Sequence, residues 1–235
     1  MNDKDIDEIF DRAPSAPHQV DPALLDRVSA SIGASLRPVR PMAPAWNLAA
    51  VLLSIWAGFA FMSASVLGLF GIHKLNGAEM GAIFPALAIF TWLAALVSVA
   101  AMTPGGLRRR VPANPAMLLL AIVAAWIAVD AILFHDYRMG SFVPDGIPCL
   151  RAGLAVAVPT GVAVWLVLRR GFAVNAARAG LAAGTLAGLA GLAMLEMHCP
   201  NLHAMHIMVW HTAVIPISAL VGALLANIQE RNRHA

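Results

Sequence analysis

The chain has 235 residues, 60% of them hydrophobic and only 12% charged, with a mean hydropathy of +0.74. A water-soluble domain carries about a quarter charged residues, so this composition excludes an ordinary soluble globular domain and points to lipid as the solvent. Sixteen Lys and Arg against 13 Asp and Glu is too small a basic excess to mark a nucleic-acid binder, and where the charges sit matters more than their sum.

Residues 1–45 are polar, with seven acidic and five basic side chains. They lack a basic start followed by an apolar core, so they are not a signal peptide and read as a cytoplasmic segment. Ile6, Ile9 and Phe10 recur at helical spacing within an acidic run. After a Pro-containing break, Asp21 suits the cap and Pro22 the first turn of a second short helix. Leu24, Leu25, Val28, Ile32 and Leu36 then form an apolar stripe. Short helices of this kind are marginal alone, and a partner groove can bury the stripe. The competing reading lays the helix on the inner leaflet or on the protein's own loops. Through residue 26 the segment holds seven acids against two bases, which suits a basic partner better than anionic lipid.

A bilayer core of about 30 Å needs about 20 apolar residues as helix. Six stretches meet this, near 46–70, 78–102, 115–134, 150–168, 179–198 and 206–227. The expected fold is all-α: a six-span transmembrane bundle over 46–227, the N-terminal segment 1–45, and a short tail 228–235. Lys and Arg accumulate on the cytoplasmic side. With the N-terminus inside, the inner flanks hold Arg37, Arg40, Arg108, Arg109, Arg110, Arg169, Arg170, Arg178, Arg231 and Arg233. The outer loops hold Lys74, Arg138 and Arg151. This asymmetry predicts a multi-pass inner-membrane protein with both termini cytoplasmic.

Both cysteines, Cys149 and Cys199, then fall at the outer side, in the company of His198, His203 and His206, with His211 just inside the membrane. There is no CxxC, which excludes a four-cysteine zinc site but not a disulfide. Cys199, His203 and His206 run C-x3-H-x2-H; zinc accepts Cys and His, and thiolates suit softer metals. Cys149 and His198 complete this candidate ligand set, and Glu196 and Asp130 stand near it as acids at the outer span ends. The competing readings are thiol chemistry at Cys149 and Cys199, since thiolate is the reactive form, and a loop of inert interfacial residues. Asp130 and His211 are the notable ionisable groups within spans, where charge is expensive and marks function. Both are expected about a turn from the rim, within reach of water by snorkelling. Trp46, Trp126 and Trp210 read as interfacial anchors. Gly180, Gly184 and Gly188 share one helix face and read as a close-packing stripe.

The motifs Ile147-Pro148-Cys149-Leu150, Arg169-Arg170-Gly171, His198-Cys199-Pro200, Met208-Val209-Trp210-His211 and Leu220-Val221-Gly222-Ala223-Leu224-Leu225 resemble those of the negative regulator of sigma-F family, NrsF. These are six-span bacterial inner-membrane anti-sigma proteins. The resemblance covers roughly residues 40–227, by the span pattern. It implies that the N-terminal segment sequesters an extracytoplasmic-function sigma factor. It also implies that heavy metal or oxidative stress acts through two cysteines matched by Cys149 and Cys199. No cofactor is required under this reading; a heavy metal is a ligand of the thiols, and the partners are a sigma factor and the bilayer, without direct nucleic-acid contact.

The rival class is a membrane metal-binding or redox protein, or a transporter, using the same Cys/His cluster. A haem bundle wants paired axial histidines on facing helices, whereas here the histidines crowd the expected rim. A transporter predicts internal repeats and broken helices; Pro85, Pro159 and Pro216 lie within spans, but no repeat accompanies them. No nucleophile, base and orienting group occur together, so no enzymatic activity is expected.

Overall fold

A computed structural model describes residues 21–35, 43–103, 114–169, 171, 173 and 175–234. Ile6, Ile9 and Phe10 lie outside the described residues, as do Leu36, Arg37, Arg40, Arg108, Arg109, Arg110 and Arg170. The chain divides into two units, residues 1–41 and 42–235. In the first, helix α1 spans Pro22–Ser35. Asp21 caps it as expected: its Oδ1 accepts from Ala23 N–H at 2.9 Å, meeting one of the donors a helix start leaves without a partner. Leu24, Leu25 and Val28 are exposed on α1, and so is Ile32.

The second unit is entirely helical among the described residues. In chain order it comprises α2 (Ala45–Leu67), α3 (Gly77–Met102), α4 (Pro115–Leu133), α5 (Phe142–Leu168) and α6 (Ala176–His198). The final helix, α7, opens with Ala204–His206, passes through a π-helical stretch Ile207–His211 and continues as Thr212–His234. The six spans expected from composition are thus six helices long and apolar enough to cross a membrane.

Local chemistry explains the boundaries. Asn76 starts α3 with a reciprocal cap: its Oδ1 accepts from Ala78 and Glu79 N–H, and Glu79 Oε2 accepts from Asn76 N–H. Asn114 caps α4 ahead of Pro115, which needs no N–H at a first helical position. α5 starts at Phe142, eight residues before the expected span near 150–168, in a stretch whose Asp, Gly and Pro content disfavours helix. Pro144 stands in the first turn, where its missing N–H loses no intrahelical bond. Residues 228–234, expected as a tail, continue α7.

The least apolar span is the innermost. α6 has a mean hydropathy of 1.4 and 83% of its most apolar stretch is buried, whereas α4 reaches 2.5 with 22% buried. Lipid explains this inversion: greasy side chains are satisfied outside, and small residues let backbones approach inside. Gly180 and Gly184 meet the backbone of α7 at Gly222 and Ser218, and Gly188 meets it at Ile215. The glycine stripe is a packing seam, as its spacing predicted.

One end of the bundle is closed by loops docked on the C-terminus of α6. Gly71 N–H donates to His198 O at 3.1 Å, and Ile72 N–H to Met197 O at 3.0 Å. These bonds satisfy carbonyls that a helix end leaves unpaired. A Cβ at Gly71 would stand 2.9 Å from Glu196 O and 3.0 Å from Cys199 N, so only glycine lets the loop sit there. Opposite, Ala204 N–H donates to Asp136 O at 2.8 Å, tying the start of α7 to the loop after α4.

Candidate functional site

Cys149 and Cys199 come together at this end. Cys149 lies near the start of α5, and Cys199 caps α6, its N–H closing on Leu195 O. Their Sγ atoms are 3.4 Å apart as free thiols. Cys149 is half-buried, and Cys199 is buried at 4% exposure. Contact with Cys149 and burial push the Cys199 thiol above its ordinary value.

Two histidines of α7 complete the arrangement. His206 Nε2 stands 3.5 Å from Cys199 Sγ, and the rings of His206 and His211 pack edge to face with centroids 5.2 Å apart. In an α-helix, residues five apart are turned about 140° from each other at 3.6 residues per turn. The π-helical stretch, with more residues per turn, narrows that offset. Thr212 N–H reaches back five residues to Ile207 O, which brings His211 round to the side of His206. Stretches of this kind recur at functional sites. His211 Nδ1–H donates to Glu196 Oε1 at 2.9 Å, leaving Nε2 buried without a well-formed hydrogen bond among the described residues. One donor atom each from Cys149, Cys199, His206 and His211 all lie within 4.8 Å of one another.

The structure corrects several expectations. The cluster is interior: His206 and His211 are buried at 2% and 1% exposure, so they do not crowd a wet rim. His211, expected as a neighbour of the ligands, belongs to the group itself. His198 and His203 do not. His198 Nδ1 bonds Gly68 O at 2.8 Å, with its ring against Phe70, and His203 Nδ1 pairs with Asp136 at 3.2 Å. The C-x3-H-x2-H spacing therefore named two of the four grouped donors and one outsider, because the peptide between Cys199 and Ala204 is not helical. Asp130 does not snorkel: it is fully buried on α4, and neither carboxyl oxygen has a hydrogen-bond partner among the described residues. Glu196 is buried beside His211. Trp126 is no interfacial anchor either, being fully buried with its ring edge-on to Phe90. Trp46 is exposed, while Trp210 packs on Phe142 and against Gly146.

The arrangement offers two soft sulfur and two imidazole nitrogen donors at a water-poor helix junction, with a carboxylate holding one imidazole. The family model described as negative regulator of sigma F, NrsF, matches residues 33–231. The chain belongs to the NrsF family. Membership makes it a negative regulator of a sigma factor, and the match takes in the whole cluster and all six long helices but the last three residues of α7. No curated protein and no solved structure matches the chain. The matched range begins at residue 33, so a partner-binding role for residues 1–32 rests on their own pattern.

Proposed function

We propose that this NrsF-family protein is an inner-membrane anti-sigma factor. It holds an extracytoplasmic-function sigma factor through its N-terminal segment and releases it when heavy metal or oxidant acts on Cys149 and Cys199. The observation that carries the reading is the 3.4 Å approach of the only two thiols in the chain within a family defined by negative regulation of sigma F. Thiols this close can be oxidised together or share one metal ion. The Lys and Arg distribution supports termini in the cytoplasm, which puts the thiol end on the periplasmic side, where oxidation persists. Exposed Leu24, Leu25 and Val28 on α1 suit helix-in-groove recognition of the sigma factor.

A signal must favour one of two states to be transmitted. Cys199 ends α6, and α6 meets α7 along the glycine seam, so a change at the thiols alters the packing of the innermost helix. Catalysis and direct nucleic-acid contact have no part in this scheme. A metal-binding or redox membrane protein is the competing reading, and it uses the same thiols. The test is sigma-dependent transcription in cells carrying Cys149→Ser or Cys199→Ser, with and without metal or oxidant. Loss of induction in either variant is expected; full induction in both would refute the thiol reading.

A further inference from the structure

We propose that Cys149, Cys199, His206 and His211 form a four-coordinate site for a thiophilic d10 divalent cation of the zinc–cadmium class, with Glu196 as the positioning residue for His211. The inference deepens the thiol reading above and rests on it for its signalling consequence, while adding both histidines and the carboxylate.

Geometry is the first argument. Tetrahedral zinc binds sulfur at about 2.3 Å and imidazole nitrogen at about 2.0–2.1 Å, which separates two sulfurs by about 3.8 Å and a sulfur from a nitrogen by about 3.6 Å. Here the sulfurs are 3.4 Å apart, and Cys199 Sγ is 3.5 Å from His206 Nε2. These two pairs thus already stand within a few tenths of an ångström of the spacing a cation imposes, and all four donors lie within 4.8 Å of one another. A disulfide uses only the sulfurs and leaves two buried imidazoles unexplained.

The second argument is the state of His211. Its Nδ1–H is held by Glu196, so the lone pair is on Nε2, and Nε2 is buried towards Cys199 without a well-formed hydrogen bond among the described residues. Burying a polar atom unpaired is costly. Metal-ligating histidines almost always give their other N–H to a carboxylate or carbonyl, which fixes tautomer and ring orientation. Glu196 does this from the last turn of α6, next to Cys199.

The third argument is access. A cavity of about 190 Å³ at this end is lined by Asp145, Asn201, His203, Arg138 and, at the cluster, His206. Asp145, held by Asn201 at 3.3 Å, puts a carboxylate on this lining. Arg138, also on the lining, pairs with Asp136 at 3.3 Å. Binding exchanges two thiol protons, released to solvent, for two metal–sulfur bonds; the histidines bind neutral, so two metal–nitrogen bonds form without further proton loss.

The test uses the reduced full-length protein in detergent, titrated with cobalt(II) as the spectroscopic probe and with zinc for X-ray absorption. Expected are one cobalt per chain, sulfur-to-cobalt charge transfer and the intense ligand-field bands of a tetrahedral site. Zinc should show two sulfur and two nitrogen neighbours in the wild-type protein, a result that depends on no variant folding. Glu196→Gln should weaken binding about 10–100-fold with the charge-transfer band kept, and His206→Gln and His211→Gln at least as much. Zinc with no sulfur neighbour or with sulfur alone, or His variants with wild-type affinity and spectra, would overturn the proposal. If the cysteine variants lose cobalt binding yet keep full sigma induction, the site stands and the signalling reading falls. If they lose induction while the histidine variants bind as wild type, the thiol reading stands and the four-ligand site falls.

Discussion

Gly184→Ala tests whether the α6–α7 seam sets the geometry of the cluster. A Cβ built at Gly184 stands 2.8 Å from Ala219 Cα and 2.9 Å from the Ser218 carbonyl carbon, and it collides with Ser218 O. Comfortable carbon contacts are about 3.5–4.0 Å, so α7 must retreat by roughly 0.7–1 Å. A gap of about 0.5–1 Å already forfeits a quarter to a half of each dispersion contact, and overpacking costs about 1–3 kcal/mol. For a chain of this size that is a fall of roughly 2–12 °C in Tm. Scanning fluorimetry of the detergent-solubilised protein measures it. Gly58→Ala and Gly81→Ala are the controls: each built Cβ meets nothing within 4 Å, and Ala is the better helix former by about 0.5–1 kcal/mol. The same retreat draws His211 away from Glu196, so cobalt affinity should fall with stability in Gly184→Ala and in neither control. The reasoning is refuted if Gly184→Ala melts at or above the wild type, or if Gly58→Ala falls as far.

Three further outcomes are expected. Cys149→Ala removes the contact that most raises the Cys199 thiol; because thiolate is the reactive form, the rate–pH curve for Cys199 alkylation should move to lower pH, and an upward move contradicts the assignment. His203→Ala breaks only a half-exposed pair with Asp136, worth about 0–1 kcal/mol, so stability and cobalt affinity should stay near wild type; a loss comparable to His206→Gln would place His203 in the site after all. Leu25→Asp with Val28→Asp puts charge on the exposed stripe of α1, and co-purification of the sigma factor should be lost while metal binding by the membrane unit is unchanged. Retained co-purification would separate α1 from the partner.

Some of this molecule is legible residue by residue. Each span is written in an uninterrupted apolar length, because the preference for lipid is local and additive. Asp21 and Pro22 announce α1 because capping needs only neighbours along the chain. The spacing of Gly180, Gly184 and Gly188 announces a seam, since residues four apart share a helix face. Prolines misled at the start of α5, where first-turn positions tolerate them. Cys149 and Cys199 fall at the outer side by the charge asymmetry alone, which says at which end they lie and not how closely they meet.

Convergence of the remaining side chains was decided by the tertiary structure. Trp126, Asp130 and His211 sit at depths that fit an interfacial role; only helix rotation against neighbours turns them inward. His206 and His211 lie five apart, a spacing that regular helix sends to different faces, and the π-helical stretch reunites them. His203 sits within the promising motif yet turns to Asp136, because an extended peptide after Cys199 breaks the helical spacing. Composition and periodicity therefore determined which segments are helices and which solvent they prefer. The rotation, register and one backbone irregularity that gather two thiols, two imidazoles and a carboxylate are properties of helices packed together, since no single helix carries the contacts that select them.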